Sequence, residues 1–372
     1  MTKVMTVVGT RPEIIRLSEV IKRLDATVDH VLVHTGQNYD YELNEIFFEE
    51  LGLRKPDHFL EVDTSSLGRV LGEVLIKTEQ VLLQEKPDAF LVLGDTNSCI
   101  AAVMAKRMRI PVYHMEAGNR CFDENVPEET NRRMIDHVAD FNLVYTEHAR
   151  RNLLAEGIHP RRILLTGSPM NEVLAVQRSA IEASDVLERL GLEEGGYFLV
   201  SAHREENVDK PTRLSALLDC LEAVVDEYGV PVLVSTHPRT RKRLEAAGRE
   251  VAGVRFHKPL GFHDYNHLQL KARCVLSDSG TIAEESSLLR FPAVTLRDSI
   301  ERPEALDSGS IIMTGLDPGN VILGLNCATG TNLPIPPMDY QVANCSERAV
   351  NYLVSTYLQH GVWAGIRGAS IP

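Results

Sequence analysis

Residues 90–133 run FLVLGDTNSC…YHMEAGNRC…VPEETNRR, and the fold turns on how they are read. Ala89-Phe-Leu-Val-Leu-Gly and Ile110-Pro-Val-Tyr-His-Met are apolar runs of the kind that form strands buried on both faces of a parallel sheet. Each run ends in an acid, Asp95 and Glu116, and the spacing predicts a helix over 98–108 between them. Pro127 precedes a predicted helix over 128–138 that begins with Glu128. An open α/β sheet places its reactive groups at the carboxyl ends of strands and in the turns that follow. Asp95, Glu116 and Glu128 are therefore candidate proton-transfer groups. Gathered carboxylates repel one another and lose solvation, which raises some of their pKa values toward neutrality. The plainer alternative makes Asp95 and Glu128 helix-start acids and Glu116 the partner of Arg120.

Outward from this stretch the same alternation continues. Residues 4–9 read as a strand, and Gly9-Thr-Arg-Pro-Glu turns the chain into a helix carrying Ile14, Leu17, Val20, Ile21 and Leu24. A small-residue turn entering a helix offers free N–H groups to an anion, and Arg11 adds a charged fork. The turn is not GxGxxG, and no GxxxxGK[ST] occurs, so nucleotide-dependent redox chemistry and ATP hydrolysis lose most of their support. Strands are expected at 30–35, 89–93, 110–115, 141–145 and 163–166, with helices at 42–51, 65–85, 98–108, 128–138 and 147–156 among them. Gly167-Ser-Pro-Met marks a change of register. The series then restarts with strands at 197–201, 231–236, 255–257, 274–277 and 293–296 and helices at 211–228, 239–251, 264–272 and 282–290. The fold class is α/β: two Rossmann-like doubly wound domains, 1–167 and 168–359, facing across a cleft. A last helix is expected at 346–359, and the tail of about 360–372, with Trp363, is expected to pack back on the first domain.

The bulk properties agree with this reading. At 372 residues the chain suits two domains, and a net charge of −13 argues against nucleic-acid or anionic-membrane partners while leaving room for a local basic pocket. No apolar run reaches the length of a membrane span, and residues 1–9 enter a strand without a signal-peptide pattern. The six cysteines lack CxxC spacing, which points to reduced thiols in a cytoplasmic protein.

In the second half, Ala202-His-Arg-Glu-Glu-Asn puts His203 and Arg204 at a strand's carboxyl end. Leu276-Ser-Asp-Ser-Gly-Thr-Ile-Ala-Glu-Glu places Ser279, Gly280 and Thr281 at a helix start with Glu285 about one turn on. Such a start can hold a diphosphate, and the carboxylate can accept from ribose hydroxyls; the alternative is a capping box on Asp278 or Ser279. Ser299-Ile-Glu-Arg-Pro-Glu offers Arg302 as another anion ligand or as a surface salt bridge. His237 follows a strand in the same way as His203. His263 and His267 have the spacing of a helical metal pair but no third ligand in view, so they read as packing residues. Phe262 and Tyr265 could stack on a base or lie in the core.

Taken together, GTRPEIIR, LGDTNS, HMEAGNR, PEETNRR, SAHREEN, SDSGTIAEES and ERPE closely resemble the non-hydrolysing UDP-N-acetylglucosamine 2-epimerase family, in order and over nearly the whole chain. The resemblance implies a GT-B-like fold, a UDP-sugar substrate, no cofactor or metal, and a homodimer. It makes Asp95, Glu116, Glu128 and His203 catalytic. It makes Arg11, Arg16, Arg132, Arg204, His237, Tyr265, Ser279, Gly280, Thr281, Glu285 and Arg302 substrate contacts. Arg16 stands where many members have Lys, Asn119 where Leu is common, and Thr281 where Gly is common. HTGQNYDYELNEIFFEELGL with EAGNRCFDENVPEE looks most like the branch that epimerises UDP-2-acetamido-2,6-dideoxy-L-talose to UDP-N-acetyl-L-fucosamine for capsule or O-antigen synthesis. The same loop lacks the Gln-His form that helps hold an activating second UDP-GlcNAc in bacterial members. Alternatives are conversion of UDP-GlcNAc to UDP-ManNAc, a GT-B glycosyltransferase, and a non-catalytic nucleotide-sugar sensor.

Overall fold

The structure, a computed structural model, describes residues 1–36, 45–236, 238–330 and 335–367. It comprises two compact units. The first is Met1–Arg120, Pro127–Ala175 and the chain from Asp339 on; the second is Cys121–Val126 and Val176–Met338.

The first unit is built on strands β1 (Lys3–Val8), β2 (Asp29–His34), β3 (His58–Phe59), β4 (Ala89–Leu93), β5 (Val112–Met115), β6 (Phe141–Val144) and β7 (Ile163–Leu165). They run parallel in the order β3-β2-β1-β4-β5-β6-β7. All of β4 is buried, as its unbroken apolar run requires when helices cover both faces. One face packs Met5, Val7, Phe90, Val92 and Val112 against Val70, Val74 and Val81 of the helix Leu67–Glu85 and the alanines of Ala101–Arg107. On the other face, Val20 and Leu24 of the helix Arg11–Thr27 join Leu91, Tyr113 and Leu143 with Ala349, Val350 and Leu353 of the helix Cys345–Thr356. Tyr113 Oη lies 2.7 Å from Thr356 Oγ1, fixing that last helix to β5. Beyond it Trp363 packs its ring edge-on to Phe141, with the Arg161 guanidinium 4.9 Å above it. Strand order reverses between β1 and β4, so the chain departs in opposite directions from their carboxyl ends, the usual place for a ligand crevice.

The second unit repeats the plan with β8 (Phe198–Ser201), β9 (Val232–Ser235), β10 (Val254–His257), β11 (Cys274–Ser277), β12 (Ala293–Thr295) and β13 (Ile312–Met313). The order is β10-β9-β8-β11-β12-β13, again parallel, with its reversal between β8 and β11. Phe198, Val200, Val232 and Leu276 meet Leu217 and Leu221 of the helix Pro211–Tyr228 in its core.

Several elements differ from the sequence expectation. The helix expected at 239–251 spans Pro238–Ala247, ending where Gly248 takes a left-handed backbone, φ +62°. The helix expected at 98–108 opens as a tighter turn, Asn97–Ile100, before Ala101–Arg107. Helices Met170–Glu182 and Pro318–Gly330 were not anticipated. Residues 37–44, which make up most of the part of the quoted stretch HTGQNYDYELNEIFFEELGL that precedes Glu45, and His237 lie outside the described residues.

Candidate active site

In the first unit β4 and β5 pair with Leu93 opposite Met115, which sets the next residues, Gly94 and Glu116, side by side. Gly94 N donates to Met115 O at 3.0 Å, and both Gly94 and Glu116 turn through left-handed backbone, φ +75° and +65°. That conformation is free for glycine but costs a residue with a side chain about 1–2 kcal/mol. At Glu116 the strained turn delivers a buried carboxylate to buried Arg16, whose Nη1 donates to Oε2. Asn119 Nδ2 lies 3.4 Å from the other oxygen.

Asp95 is gripped by Arg132, with Nε at 2.9 Å and Nη2 at 2.6 Å from Oδ2. The third arm, Nη1, reaches Glu129 at 2.8 Å. Asn131 Nδ2 donates to the Asp95 main-chain oxygen at 2.9 Å. Glu128 heads the helix Glu128–Val138 one turn before Arg132, so the two share a helix face. The first unit thus sets Asp95 and Glu116 on neighbouring loops, with Arg132 and Glu128 on the helix face that reaches Asp95. The alternative partnership of Glu116 with Arg120 does not form. Arg120 instead binds Asp136 at 2.6 Å and Glu156 at 2.6 Å.

At the end of β1, Arg11 is the first residue of its helix and stands 5.7 Å over the Phe47 ring. Glu13, two residues on, is the acid that sequence reasoning passed over although it lies inside the quoted GTRPE. Its carboxylate accepts from Gly9 N at 2.5 Å, Thr10 N at 3.2 Å and Ser98 Oγ at 2.6 Å, and also from Thr96 Oγ1. Burial pushes its pKa up, and these hydrogen bonds pull against that. It joins the turn after β1, whose Gly9 and Thr10 N–H groups it occupies where the sequence suggested that they were free for an anion, to the loop that carries Asp95.

In the second unit Asp278, fully buried at the end of β11, accepts from His203 N at 3.0 Å, Arg204 N at 3.0 Å and Asn207 Nδ2 at 3.2 Å. His203 Nδ1 is 3.4 Å from the same carboxylate. Asp278 is therefore no helix cap. The helix Ile282–Leu289 has Thr281 as its N-cap residue, and Ser279 Oγ instead meets Thr281 N at 3.3 Å and Oγ1 at 3.0 Å. Arg204 Nε donates to Asp278 O at 3.0 Å and Nη2 reaches Glu301 Oε1 at 3.3 Å. A Cβ on Gly280 would stand 2.4 Å from that Glu301 oxygen, so a side chain there would have to displace the Glu301 carboxylate. Glu301 also receives Arg297 Nη1 at 2.5 Å. Glu285 accepts from Gln269 Nε2 at 2.7 Å, and Tyr265 lies one turn before Gln269 on the same helix, Phe262–Lys271. Arg302 is buried with Nη2 3.2 Å from Glu284, a core ion pair where a surface turn was the alternative. His203, Arg204 and Ser279–Thr281 thus meet at the β8/β11 reversal. His263 and His267 bind Gln177 at 2.9 Å and the Ile181 carbonyl at 2.8 Å, and Phe262 is buried.

Asp136, Glu301 and Arg297 were missed by sequence reasoning. The available signal was that Glu129, Arg132 and Asp136 recur at helical spacing on the buried face of their helix, where charge needs a partner.

The sequence matches the UDP-N-acetylglucosamine 2-epimerase family over residues 22–354. The chain belongs to that family. This epimerase is 45% identical to the UDP-N-acetylglucosamine 2-epimerase of Rickettsia bellii, and the two structures agree with a TM-score of 0.92 over 98% of this chain and 100% of that one. It is 34% identical to the Methanocaldococcus jannaschii UDP-GlcNAc 2-epimerase solved in complex with UDP-GlcNAc and UDP, with a TM-score of 0.91 over 95% and 100% of the chains. The UDP-2,3-diacetamido-2,3-dideoxy-D-glucuronate 2-epimerase of Pseudomonas aeruginosa is 33% identical over 357 residues, 94% of this chain and 99% of that protein. The present epimerase is accordingly an isomerase that acts at C2 of a UDP-sugar, on a GT-B-like pair of parallel-sheet α/β units.

Proposed function

We propose that this epimerase inverts C2 of a UDP-2-acetamido sugar by eliminating UDP to a glycal and adding it back. The substrate in this reading is UDP-2-acetamido-2,6-dideoxy-L-talose and the product UDP-N-acetyl-L-fucosamine, made in the cytoplasm by a homodimer for capsule or O-antigen assembly.

The C2 proton of such a sugar is not α to a carbonyl, so direct removal by a carboxylate is unfavourable. The bond from C1 to the UDP oxygen loosens first and its electron pair leaves with UDP. C1 then resembles an oxocarbenium ion, C2–H is acidified, and a base takes the proton to leave a glycal and bound UDP. A proton returns to the opposite face of C2, and UDP re-adds at C1. The observation that carries this reading is the pairing of Asp95 and Glu116 at adjoining strand ends, each set by an arginine. In our assignment these acids exchange the C2 proton, while Glu128 supports positive charge at C1 or assists as an acid. Arg11, His203 and residues 279–281 balance the diphosphate as it gains charge, and Glu285 accepts from the ribose. The L-fucosamine assignment rests on the HTGQNYDYELNEIFFEELGL and EAGNRCFDENVPEE resemblance.

Turnover in D2O should place deuterium at C2 of the product and leave C4 unchanged, read by NMR on UDP-GlcNAc, UDP-2-acetamido-2,6-dideoxy-L-talose and a UDP-uronic acid. Product with only protium at C2 rules out elimination. Turnover of UDP-GlcNAc alone moves the assignment to UDP-ManNAc formation.

A further inference from the structure

Behind the carboxylates lies a buried polar group that the proposed chemistry does not use. His114 on β5 and Asp136 on the helix Glu128–Val138 are both fully buried, with Nδ1 2.9 Å from Asp136 Oδ1. The other ring nitrogen, Nε2, stands 2.8 Å from the carbonyl oxygen of Gly94, the residue before Asp95. Asp136 also accepts from the backbone N–H of Gly118, two residues after Glu116, at 3.1 Å, and from Arg120 Nη1 at 2.6 Å. Asn142 Nδ2 donates to the Asp136 carbonyl at 3.0 Å, tying the same residue to β6. Gly118 has φ +81°, and a Cβ there would stand 2.4 Å from Ala149 O in the helix Glu147–Ala155, so the turn after Glu116 packs against that helix too closely for any residue but glycine.

We propose that Asp136 and His114 are positioning residues of the epimerisation, a buried pair that locks together the turn before Asp95, the turn after Glu116 and the helix headed by Glu128. The proposal rests on the functional reading above, since it supposes that those acids carry the chemistry. A carbonyl can only accept, so His114 Nε2 donates to Gly94 O, while Nδ1 faces the Asp136 carboxylate that Gly118 N and Arg120 also reach. Each member of the pair thereby satisfies polar atoms of the other that no water reaches. Neither residue handles the C2 proton. They act through the placement of groups that do.

Asp136→Ala should lower kcat about 100-fold, the scale of an ångström-sized misplacement, while UDP affinity by calorimetry stays within about threefold. Asp136→Asn keeps an acceptor for Gly118 and Arg120, and its amide N–H can face Nδ1 of a singly protonated ring that still donates to Gly94. It should regain about tenfold or more of the lost kcat, because misplacement rather than proton transfer was the defect. Nitrogen-15 spectra should show a proton on His114 Nε2, held by the Gly94 carbonyl, in both the wild-type protein and Asp136→Asn. Wild-type kcat in Asp136→Ala, equal losses in the two variants, or a wild-type His114 with no proton on Nε2 each overturn the proposal. Should Asp136→Ala not fold, the spectra and Asp136→Asn still decide it. A wild-type protein that epimerises no UDP-2-acetamido sugar fails the functional reading instead, and the His114 spectrum then tests the buried pair by itself.

Discussion

His34 closes β2 with its imidazole buried and stacked on Phe59, ring centres 4.9 Å apart, while Nδ1 accepts from Gly36 N at 2.9 Å. Burial drives its pKa down to about 4 from the ordinary 6.5. Between those two values the unfolded chain binds a proton that the folded ring refuses. Stability therefore falls as pH drops from 6.5 and the loss is complete below about 4, worth about 3 kcal/mol at about 1.4 kcal/mol per pH unit. Asn at this position keeps an acceptor for the Gly36 N–H but cannot titrate. His34→Asn should be less stable at pH 7.5, having lost the stacked ring, yet its urea unfolding free energy should decline about 3 kcal/mol less between pH 6.5 and 4. An unaltered slope would mean that the folded ring protonates freely. Glu13 works in the opposite sense. Burial raises its pKa, so the folded state holds that proton longer and the contribution weakens as pH rises through the folded value.

An element can be legible while its address is not. The buried run Ala89–Leu93 declares a central parallel strand because every residue is apolar, and the acids that follow such runs could be chosen on that ground. Two-residue edge strands such as His58–Phe59 and Ile312–Met313 carry no period to detect. The helix Pro318–Gly330 begins with proline and contains glycines, and its apolar residues are not confined to one stripe. Partners of the acids were hidden for a different reason. Arg16 and Glu116 are a hundred residues apart, and only the β4–β5 register and the strained turn at Glu116 bring them together. The helix Cys345–Thr356 shows the same limit: its apolar spacing marks a helix, but nothing local says that Leu353 covers Leu91 and Tyr113. Leu353 is 2% exposed, and Leu353→Ala should cost about 2–5 kcal/mol by leaving a cavity on that face. Hydrogen exchange should accelerate in β4, β5 and β6, which lie more than two hundred residues away in sequence. Protection unchanged in those strands, with loss confined to residues 345–356, would show that the helix is an appendage rather than part of the first core.

At the scale of the whole chain, a protein of net charge −13 has to bind a dianionic diphosphate against its own average field. Local donors must supply the attraction, and our assignment gives that part to His203, Arg204 and the helix start at Ser279–Thr281, which meet at the reversal between β8 and β11. The corresponding reversal between β1 and β4 in the first unit carries Arg11 and Asp95, where our assignment puts the sugar chemistry. Binding and catalysis should therefore separate in a melting experiment. UDP at about 100 times its Kd should stabilise the wild-type protein by about 2.7 kcal/mol. Arg204→Ala removes a guanidinium that Asp278 and Glu301 hold in place, and a Kd weakened about tenfold would cut the gain at the same UDP concentration by about 1.3 kcal/mol. Asp95→Asn should keep the full UDP shift while slowing epimerisation by about 100-fold or more, since it loses proton transfer rather than ligand. Equal loss of the UDP shift in Asp95→Asn and Arg204→Ala would make Asp95 a nucleotide-binding residue and remove it from the proton shuttle.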